Sequence, residues 1–427
     1  MSLQVKARPP TAPNRYAVDT AALPAWPMYV LLAGFPVWWV LGAAPFAPTV
    51  IAILMVSLMV VRRRLDLVPG ILPWFALLLW AAGAAVNLPS AMSMVGFAQR
   101  YGNLVAVGIF MLYYINARET LNPRKIIHGV LCVWATVIVL GLIATQVPDL
   151  RLTTPVGTLL PKALTANPLV YDLAFPPMAE IQQPWGAPEP FERPAAPFPY
   201  SNSWGVAFVV MTPVAIAALG TLRARWKRVV VVLLLAASLI PALATGNRGM
   251  LIGTALAVAY VLVRTGARGH LLRVAILGAG AGAALIALVA SGTLDQILGR
   301  QEYSDSTGGR LNIYSETYAA ALKSPLLGYG APRLDETIGV SLGTQGYVWL
   351  LMFSYGFVGL GLFVIFLAGG IVRTWRAPGN TGLWLHSVPV AGAGVAGFYS
   401  FDVMQMTVMT LVLAVLLRAR YFGEELL

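Results

Sequence analysis

The sequence predicts an all-α fold: a polytopic integral membrane protein with about 12 transmembrane helices and both termini in the cytoplasm. Of the 427 residues, 58% are hydrophobic and only 11% are charged, and the mean hydropathy is +0.74. A composition this apolar is typical of helices that face lipid rather than of a soluble core. The apolar runs predict spans at 26–43, 44–61, 69–88, 98–116, 126–147, 204–221, 228–245, 249–263, 273–291, 345–371, 386–401 and 403–417.

The distribution of charge predicts the orientation of these spans. Basic residues cluster in alternate loops, and positively charged loops favour the cytoplasmic side of a membrane. With those loops inside, 20 basic and five acidic residues lie in the cytoplasm, against nine basic and twelve acidic residues outside. The net charge of +12 therefore follows from topology, and no nucleic-acid partner is needed to explain it.

The chain divides into a tail and one membrane domain. Residues 1–25 are polar and proline-containing, without the apolar core of a signal peptide, and are predicted to form a disordered cytoplasmic tail. Residues 26–427 form a single transmembrane domain. Its two long loops, 148–203 and 292–344, both fall outside the membrane, and long loops often carry function.

The two outer loops differ in pattern. The first is rich in proline and predicts extended and turn segments with one short helix near 157–166, so a simple spacer is an alternative. The second predicts a helix at 311–322, followed by a turn at Pro325–Gly330. We expect it to cap the outer face.

Arg248 is the most informative single residue. It lies in the segment Thr245–Gly249, between two apolar runs, where the chain reaches the outer membrane surface. An ionisable group at membrane depth is costly without a partner or water, so such a residue indicates a functional site. The alternative is that Arg248 extends to the phosphates of lipid headgroups.

Several chemistries have no support in the sequence. The three histidines fall at cytoplasmic ends of predicted helices, and the single cysteine, Cys132, excludes an internal disulfide or a thiolate cluster. No metal-binding or phosphate-loop motif is present, so we expect no metal and no cofactor. Outside the membrane, arginines and carboxylates remain. Arginine matches phosphate oxygens with a planar fork of donors, which favours a lipid-linked phosphate or diphosphate as substrate.

Five segments of the chain carry motifs that are expected on the outer face. In chain order the motifs are Arg193 with Phe198–Gly205, Thr245–Gly249, Gly308–Tyr314, Pro325–Gly330, and Gln345 followed by Gly356. In their order and common outer placement these motifs resemble a known family, the O-antigen ligase and O-antigen polymerase superfamily of bacterial surface-glycan enzymes. The resemblance covers about residues 190–370.

This resemblance implies a metal-independent glycosyltransferase of the bacterial cytoplasmic membrane. Such enzymes move a glycan from a polyprenyl-diphosphate carrier to a sugar hydroxyl on the outer face, with inversion at the anomeric carbon. The implied partners are the lipid-linked glycan donor, a polysaccharide or lipid-linked acceptor, the bilayer and other glycan-assembly proteins. Polymerase and ligase share these motifs, so the sequence leaves that choice open.

The resemblance also implies roles for individual residues. Arg248 and Arg310 are expected to engage the diphosphate, with Arg193 as a third contact; arginines there would stabilise the negative charge that develops on the leaving group. Further substrate-binding candidates on or beside the motifs are Asn202, Asn247, Tyr314, Tyr329 and Arg333.

Gln345 departs from the family pattern, because ligases have a histidine at the matching position. Glutamine forms hydrogen bonds but takes no proton near neutral pH, whereas a hydroxyl nucleophile normally needs a base. Asp402 is the first candidate base, although aspartate at a helix N-terminus is also an ordinary cap. Glu316 is the second candidate, followed by Asp335 and Glu336. Alternatively the reaction is largely dissociative, and Gln345 only orients the acceptor.

A secondary transporter of a lipid or glycan-related substrate is the main alternative function. Transporters often show two similar halves and polar residues near the membrane midplane. The two halves of this chain differ in loop length, and charge within the predicted spans is scarce. The sequence therefore favours the enzyme.

Overall fold

The computed structural model describes residues 22–62, 64–183, 190–290, 292, 306–336 and 339–426, and these residues are mostly helical. In the first half of the chain the helices are α1 Trp26–Leu32, α2 Phe35–Val40, α3 Ala47–Arg62, α4 Leu72–Gly83, α5 Ala91–Asn116, α6 Pro123–Ala144, α7 Pro155–Leu159, α8 Lys162–Thr165, α9 Pro168–Ala174 and α10 Ser201–Leu219. In the second half they are α11 Arg225–Ala237, α12 Leu239–Ala244, α13 Arg248–Ala267, α14 Leu271–Ala290, α15 Ser306–Lys323, α16 Tyr347–Arg373, α17 Gly379–Val395 and α18 Val403–Phe422.

Eight helical segments in the described part of the chain are long and apolar enough to cross a membrane. They mark the chain as an all-α membrane-embedded protein. Helix α3 and the start of α14 are apolar but shorter. The eight segments are Pro69–Asn87, Ser93–Asn116, Pro123–Ala144, Ser201–Leu219, Arg225–Ala244, Arg248–Ala267, Tyr347–Arg373 and Val403–Phe422. The count of about 12 spans remains a prediction.

The first predicted span, 26–43, is not one continuous helix. It forms α1 and α2, which are separated by a turn at Gly34. Pro36 accounts for the break, because proline has no N–H with which to continue the helical hydrogen-bond ladder. The indole of Trp38 donates to the Val30 carbonyl at 2.8 Å and satisfies one of the acceptors that the break leaves.

The predicted tail packs against the bundle at its end. Leu23 is buried, and the Pro24 carbonyl accepts a hydrogen bond of 2.6 Å from the Tyr113 hydroxyl. The packed chain therefore begins before residue 26. The remainder of the predicted disordered tail, 1–21, lies outside the described residues.

Helices α10 and α18 lie at the centre of the bundle. Helix α10 packs against α6, α13, α17 and α18, while α18 also contacts α5. In the most apolar stretch of α10 and of α18, 72% and 83% of the residues are buried inside the protein, compared with 22% in the Arg225–Ala244 segment. The Arg225–Ala244 segment therefore lies at the periphery of the bundle with most of its apolar residues exposed, and the central helices are fixed by packing.

The connecting segments gather at two ends of the bundle. At one end, loops predicted to be cytoplasmic contact each other through the ion pairs Arg62–Glu119 at 3.1 Å and Arg118–Asp66 at 2.6 Å. At the other end lie the loops predicted to be outside. The membrane side that each end faces remains a prediction from the distribution of charge.

The first outer loop is more regular than its proline content predicts. It forms α7, α8 and α9 and then an antiparallel hairpin of β1, Ala179–Gln182, and β2, Phe191–Pro194. The single short helix expected near 157–166 is two short helices, because Pro161 lies between them. Residues 184–189 of this loop are not described.

The second outer loop contains the predicted helix, which is α15, and a short hairpin of β3, Arg333–Asp335, and β4, Val340–Leu342. Residues 293–305, 337 and 338 of this loop lie outside the description. The predicted turn Pro325–Gly330 is confirmed, with left-handed backbone at Gly328 and Gly330. This turn docks into α16, where Gly356 interrupts the helix with φ 71° and ψ −178°.

Candidate functional site

Helices α10, α13 and α18 begin at the same end of the bundle, and each N-terminus is capped differently. The Glu180 carboxylate of β1 accepts hydrogen bonds from the Ser201 amide at 3.0 Å and the Ser201 hydroxyl at 2.6 Å at the start of α10. Asp402 caps α18 in a capping box with Gln405. Asn247, which is neutral, caps α13 through a 3.1 Å bond from the Met250 amide. The first turn of α13 has no acidic residue.

Arg193 ties the hairpin to the Thr245–Gly249 segment. Its side chain is buried, and its Nε donates to the Thr245 carbonyl at 2.7 Å. One terminal nitrogen lies 3.6 Å from the Glu180 carboxylate, and the other donates to Asn202 Oδ1 at 3.3 Å. The pairing of β1 with β2 places Glu180 opposite Arg193, so the hairpin register sets this contact.

Tyr399 also binds this turn. Its buried hydroxyl donates to Asn247 Oδ1 and accepts a hydrogen bond of 3.2 Å from the Gly249 amide. Close approach depends on the glycine, because a Cβ at Gly249 would lie 2.2 Å from the Tyr399 ring. Arg248, between these two contacts, is partly buried and is the first residue of α13.

Arg310 reaches the same tyrosine from the second outer loop. Its guanidinium carbon lies 5.9 Å from the centre of the Tyr399 ring, within cation–π range. The turn that carries Arg248 and the helix that carries Arg310 thus contact one side chain. We call the group of Arg193, Asn247, Arg248, Arg310 and Tyr399 the Tyr399 cluster.

Tyr314 and Gln345 lie beside the Tyr399 cluster. The Tyr314 ring stacks on Trp349 at 4.4 Å, and its hydroxyl donates to the Gln345 carbonyl at 3.3 Å. Burial raises the pKa of Tyr314, the charge of Arg310 opposes that shift, and Tyr399 adds to it. The partly buried Gln345 amide makes a weak contact of 3.5 Å with the Thr344 hydroxyl.

Asp402 is partly buried and lies three residues after Tyr399. Burial raises the pKa of its carboxyl, and a hydrogen bond with Ser203 opposes the shift. Gln405 of α18 donates to the Ser203 carbonyl of α10 at 2.6 Å and so joins the starts of these two helices. The alternative assignment of Asp402 as a helix cap is therefore seen in the structure. The prediction that it is also the base stays a prediction.

Tyr200 lies near several carboxylates, including that of Asp402. Burial raises the pKa of the Tyr200 hydroxyl, and the negative charges of Asp172, Glu180 and Asp402 raise it further. The carboxylates of the first outer loop and of the α18 cap therefore face a common region. This acidic side adjoins the arginine-bearing side of the site through Arg193 and Glu180.

The other predicted residues lie apart from these contacts. Tyr329 and Arg333 make a cation–π contact at 4.5 Å, and Arg333 donates to the Asn87 carbonyl near the end of the Pro69–Asn87 segment. Glu316 and Glu336 are exposed, and Asp335 is partly buried in β3. Among the described contacts, none joins Tyr329, Arg333 or Glu316 directly to the Tyr399 cluster.

Sequence reasoning missed Tyr399 and Glu180. Tyr399 follows an apolar run and resembles ordinary packing, although the pattern Tyr-Ser-Phe-Asp leads directly into the capping aspartate. Glu180 precedes Ser201 by 21 residues, so its capping role depends on the hairpin. In the described part of the chain, no group of three or more His, Cys, Asp or Glu side chains could hold a metal ion.

Replacing Tyr399 by phenylalanine should destabilise the protein by about 1–3 kcal/mol, because the change leaves buried polar groups of Asn247 and Gly249 without their partner. The measurement is the midpoint of thermal unfolding in detergent. Tyr421→Phe is the matched control, since Tyr421 is 41% exposed. Equal midpoints for both variants would remove the structural role assigned to the Tyr399 hydroxyl.

Comparison with known proteins adds no family assignment. Neither the protein-family models nor the curated proteins contain a match to this chain.

Proposed function

We propose that the chain is a metal-independent inverting glycosyltransferase resembling the O-antigen ligases and polymerases. It would transfer a glycan from a polyprenyl-diphosphate carrier to a sugar hydroxyl on the outer face of the bacterial cytoplasmic membrane. Arg248 and Arg310 of the Tyr399 cluster would bind the diphosphate. One observation carries the proposal: Arg310 and the turn that holds Arg248 meet at Tyr399, beside the N-terminus of α13.

Electrostatics favour the N-terminus of α13 as the place for the diphosphate. A helix N-terminus attracts anions through its oriented amides and its dipole. At the neighbouring starts of α10 and α18, Glu180 and Asp402 already supply that negative charge. The start of α13 has a neutral cap and an arginine at its first position, and Arg310 lies nearby. A bound diphosphate would add negative charge at this helix start, whose first turn has no acidic residue of its own.

The reaction assigned to this site is a single displacement. The acceptor oxygen forms a bond to the anomeric carbon while the bond from that carbon to the diphosphate oxygen breaks. The electron pair leaves with the diphosphate, where Arg248 and Arg310 would stabilise it. Arg193 acts as a positioning residue, because it binds the Thr245 carbonyl and holds the turn that presents Arg248.

The acceptor proton passes to a carboxylate in this proposal. Asp402 is the first choice, because it is close in sequence to Tyr399 and its raised pKa increases its basicity once it is ionised. Glu316, Asp335 and Glu336 remain the further choices. Gln345 would orient the acceptor by hydrogen bonding, since its amide cannot take the proton.

If Asp402 is the base, the rate should rise with pH through a pKa above the ordinary aspartate value of about 3.9. The rate rises with pH because only the ionised carboxylate accepts a proton. Burial raises the pKa of this carboxyl, so it ionises at a higher pH than an exposed aspartate does. The measurement is the pH dependence of initial rate for wild type and Asp402→Asn. The variant should lose about 10²–10⁴-fold in rate. Asp149→Asn, at an exposed outer-loop position, is the control. Wild-type turnover in Asp402→Asn would exclude this base.

The test of the proposed function uses the purified full-length protein in detergent. It is given a synthetic polyprenyl-diphosphate oligosaccharide and a sugar acceptor, with no nucleotide and no ion gradient. Release of polyprenyl diphosphate together with an extended glycan would support the enzyme. The same protein reconstituted into vesicles tests the alternative: movement of the lipid across the vesicle membrane, with the lipid left intact, would identify a transporter instead.

A further inference from the structure

A groove lies at the end of the bundle opposite the Tyr399 cluster. It is formed by the C-terminal end of α16, the segment that follows it and the C-terminal part of α18, and it has a volume of about 660 Å³. The residues that line it are Val372, Arg373, Thr374, Trp375, Arg376, Ala377, Pro378, Leu416, Ala419, Arg420, Glu424 and Leu426. The charge pattern predicts that this end faces the cytoplasm.

The groove has a strong excess of positive charge. Three of its lining residues are arginines: Arg373, Arg376 and Arg420. Its one acidic lining residue, Glu424, is already bound at 2.8 Å by Arg418, a fully buried arginine outside the groove lining. The three arginines therefore lie together without a carboxylate of their own among the described lining residues.

The backbone around the groove already has donors. Arg420 donates to the Arg373 carbonyl, Arg264 to the Trp375 carbonyl at 2.7 Å, and Arg268 to the Ala377 carbonyl at 2.6 Å.

By contrast, the guanidiniums of Arg373 and Arg376 have no hydrogen bond or ion pair with any residue that the structure describes. Ordinary capping of the α16 C-terminus therefore accounts for Arg420. It leaves the guanidiniums of Arg373 and Arg376 available to a ligand.

We propose that this groove binds the phosphate headgroup of an acidic phospholipid. A guanidinium fork fits phosphate oxygens, and two forks in one groove favour an anion over the zwitterionic headgroups around it. The location at the end of a membrane-spanning helix favours a lipid as the source. At the mouth of the groove, Val372 is 71% and Trp375 50% exposed, which provides an apolar edge and an interfacial aromatic beside the acyl chains. The groove volume suits a headgroup rather than a folded partner.

The test compares lipid binding by purified full-length proteins in detergent. Native mass spectrometry measures the adduct with one phosphatidylglycerol against the adduct with one phosphatidylethanolamine. Wild type should prefer phosphatidylglycerol. The double variant Arg373→Gln/Arg376→Gln should weaken that binding by about 30-fold, since each of the two basic residues contributes roughly one kcal/mol at a membrane surface and about 1.4 kcal/mol corresponds to a factor of ten. Arg223→Gln/Arg225→Gln, two exposed arginines of another basic loop, is the charge-matched control and should bind as wild type does.

Three outcomes would overturn the proposal. Equal losses in the test and control variants would mean that the lipid responds to net charge rather than to the groove. Unchanged binding in the test variant would place the lipid elsewhere. Displacement of phosphatidylglycerol by an equal concentration of inorganic phosphate would indicate a free anion as the ligand. The thermal midpoints without added lipid establish that both variants fold.

Discussion

Replacing Arg310 by alanine should lower the turnover of glycan transfer by about 10²–10³-fold, the loss typical when a donor that stabilises transition-state charge is removed. Among the described residues its guanidinium contacts the Tyr399 ring but no carboxylate, so its charge is available to a substrate. Arg248→Ala should have an effect of similar size. The measurement is the initial rate of polyprenyl-diphosphate release by protein purified in equal amounts.

Two further variants separate catalysis from folding. Lys323→Ala removes an exposed positive charge from the same helix, α15, and should leave the rate unchanged. Arg310→Lys retains the charge but lacks the planar fork, so its rate should fall between wild type and alanine. Full activity in Arg310→Ala, with normal expression, would eliminate the diphosphate-binding role. Equal loss in Lys323→Ala would indicate a general effect of charge on the outer loop.

Much of the site could be predicted from the sequence because its parts are local. Gly246 with φ 58° and the capping Asn247 make the turn before Arg248, and both residue types are read directly from the segment. The alternation of basic loops assigned this turn and the helix of Arg310 to the same side. The structure brings both to one tyrosine.

The parts that escaped prediction depend on long-range contacts. Tyr399 is 152 residues from its hydrogen-bond partner Asn247, and Arg193 is 52 residues from the Thr245 carbonyl. Periodicity and composition report which face of a helix is apolar, but they do not report which distant polar groups meet. The role of Glu180 was hidden for the same reason. Arg193, a predicted substrate contact, already has several protein partners.

In the fold, too, local features were predicted and long-range ones were not. Helices occur at the positions of all the predicted spans, because long apolar runs report burial or lipid contact directly. Three of these spans are interrupted: 26–43, where Pro36 was a visible signal for a break, 228–245, which forms α11 and α12, and 345–371, where Gly356 breaks α16. The hairpin of β1 and β2 was not foreseen, since proline-rich segments give only a weak strand pattern.

Gly356→Ala should lower the free energy of unfolding by about 3 kcal/mol or more, because it combines backbone strain with the loss of several hydrogen bonds. The backbone of Gly356 has φ 71° and ψ −178°, a region open almost only to glycine. A Cβ there would lie 2.0 Å from the Leu326 carbonyl oxygen. The Pro325–Gly330 turn would have to leave its place in α16.

The docked turn supplies partners for the broken helix. The Phe353 and Ser354 carbonyls accept from the Tyr329 and Gly330 amides at 2.9 and 2.8 Å, and the Phe357 amide donates to Pro325. Within a membrane such groups must be satisfied inside the protein, since lipid offers no substitute. A displaced turn would therefore expose polar backbone in α16.

Gly361→Ala is the matched control for this prediction. It lies on the same helix, and a Cβ at that position meets no atom within 4 Å. Because alanine is favoured over glycine in a helix by about 1 kcal/mol, this variant should unfold at the wild-type midpoint or above it. The Pro325–Gly330 turn follows α15 directly. If Gly356→Ala displaces this turn from α16, Arg310 on α15 should move as well, and glycan transfer should fall. A variant Gly356→Ala with wild-type stability and activity would show that neither α16 nor the position of Arg310 depends on the docked turn.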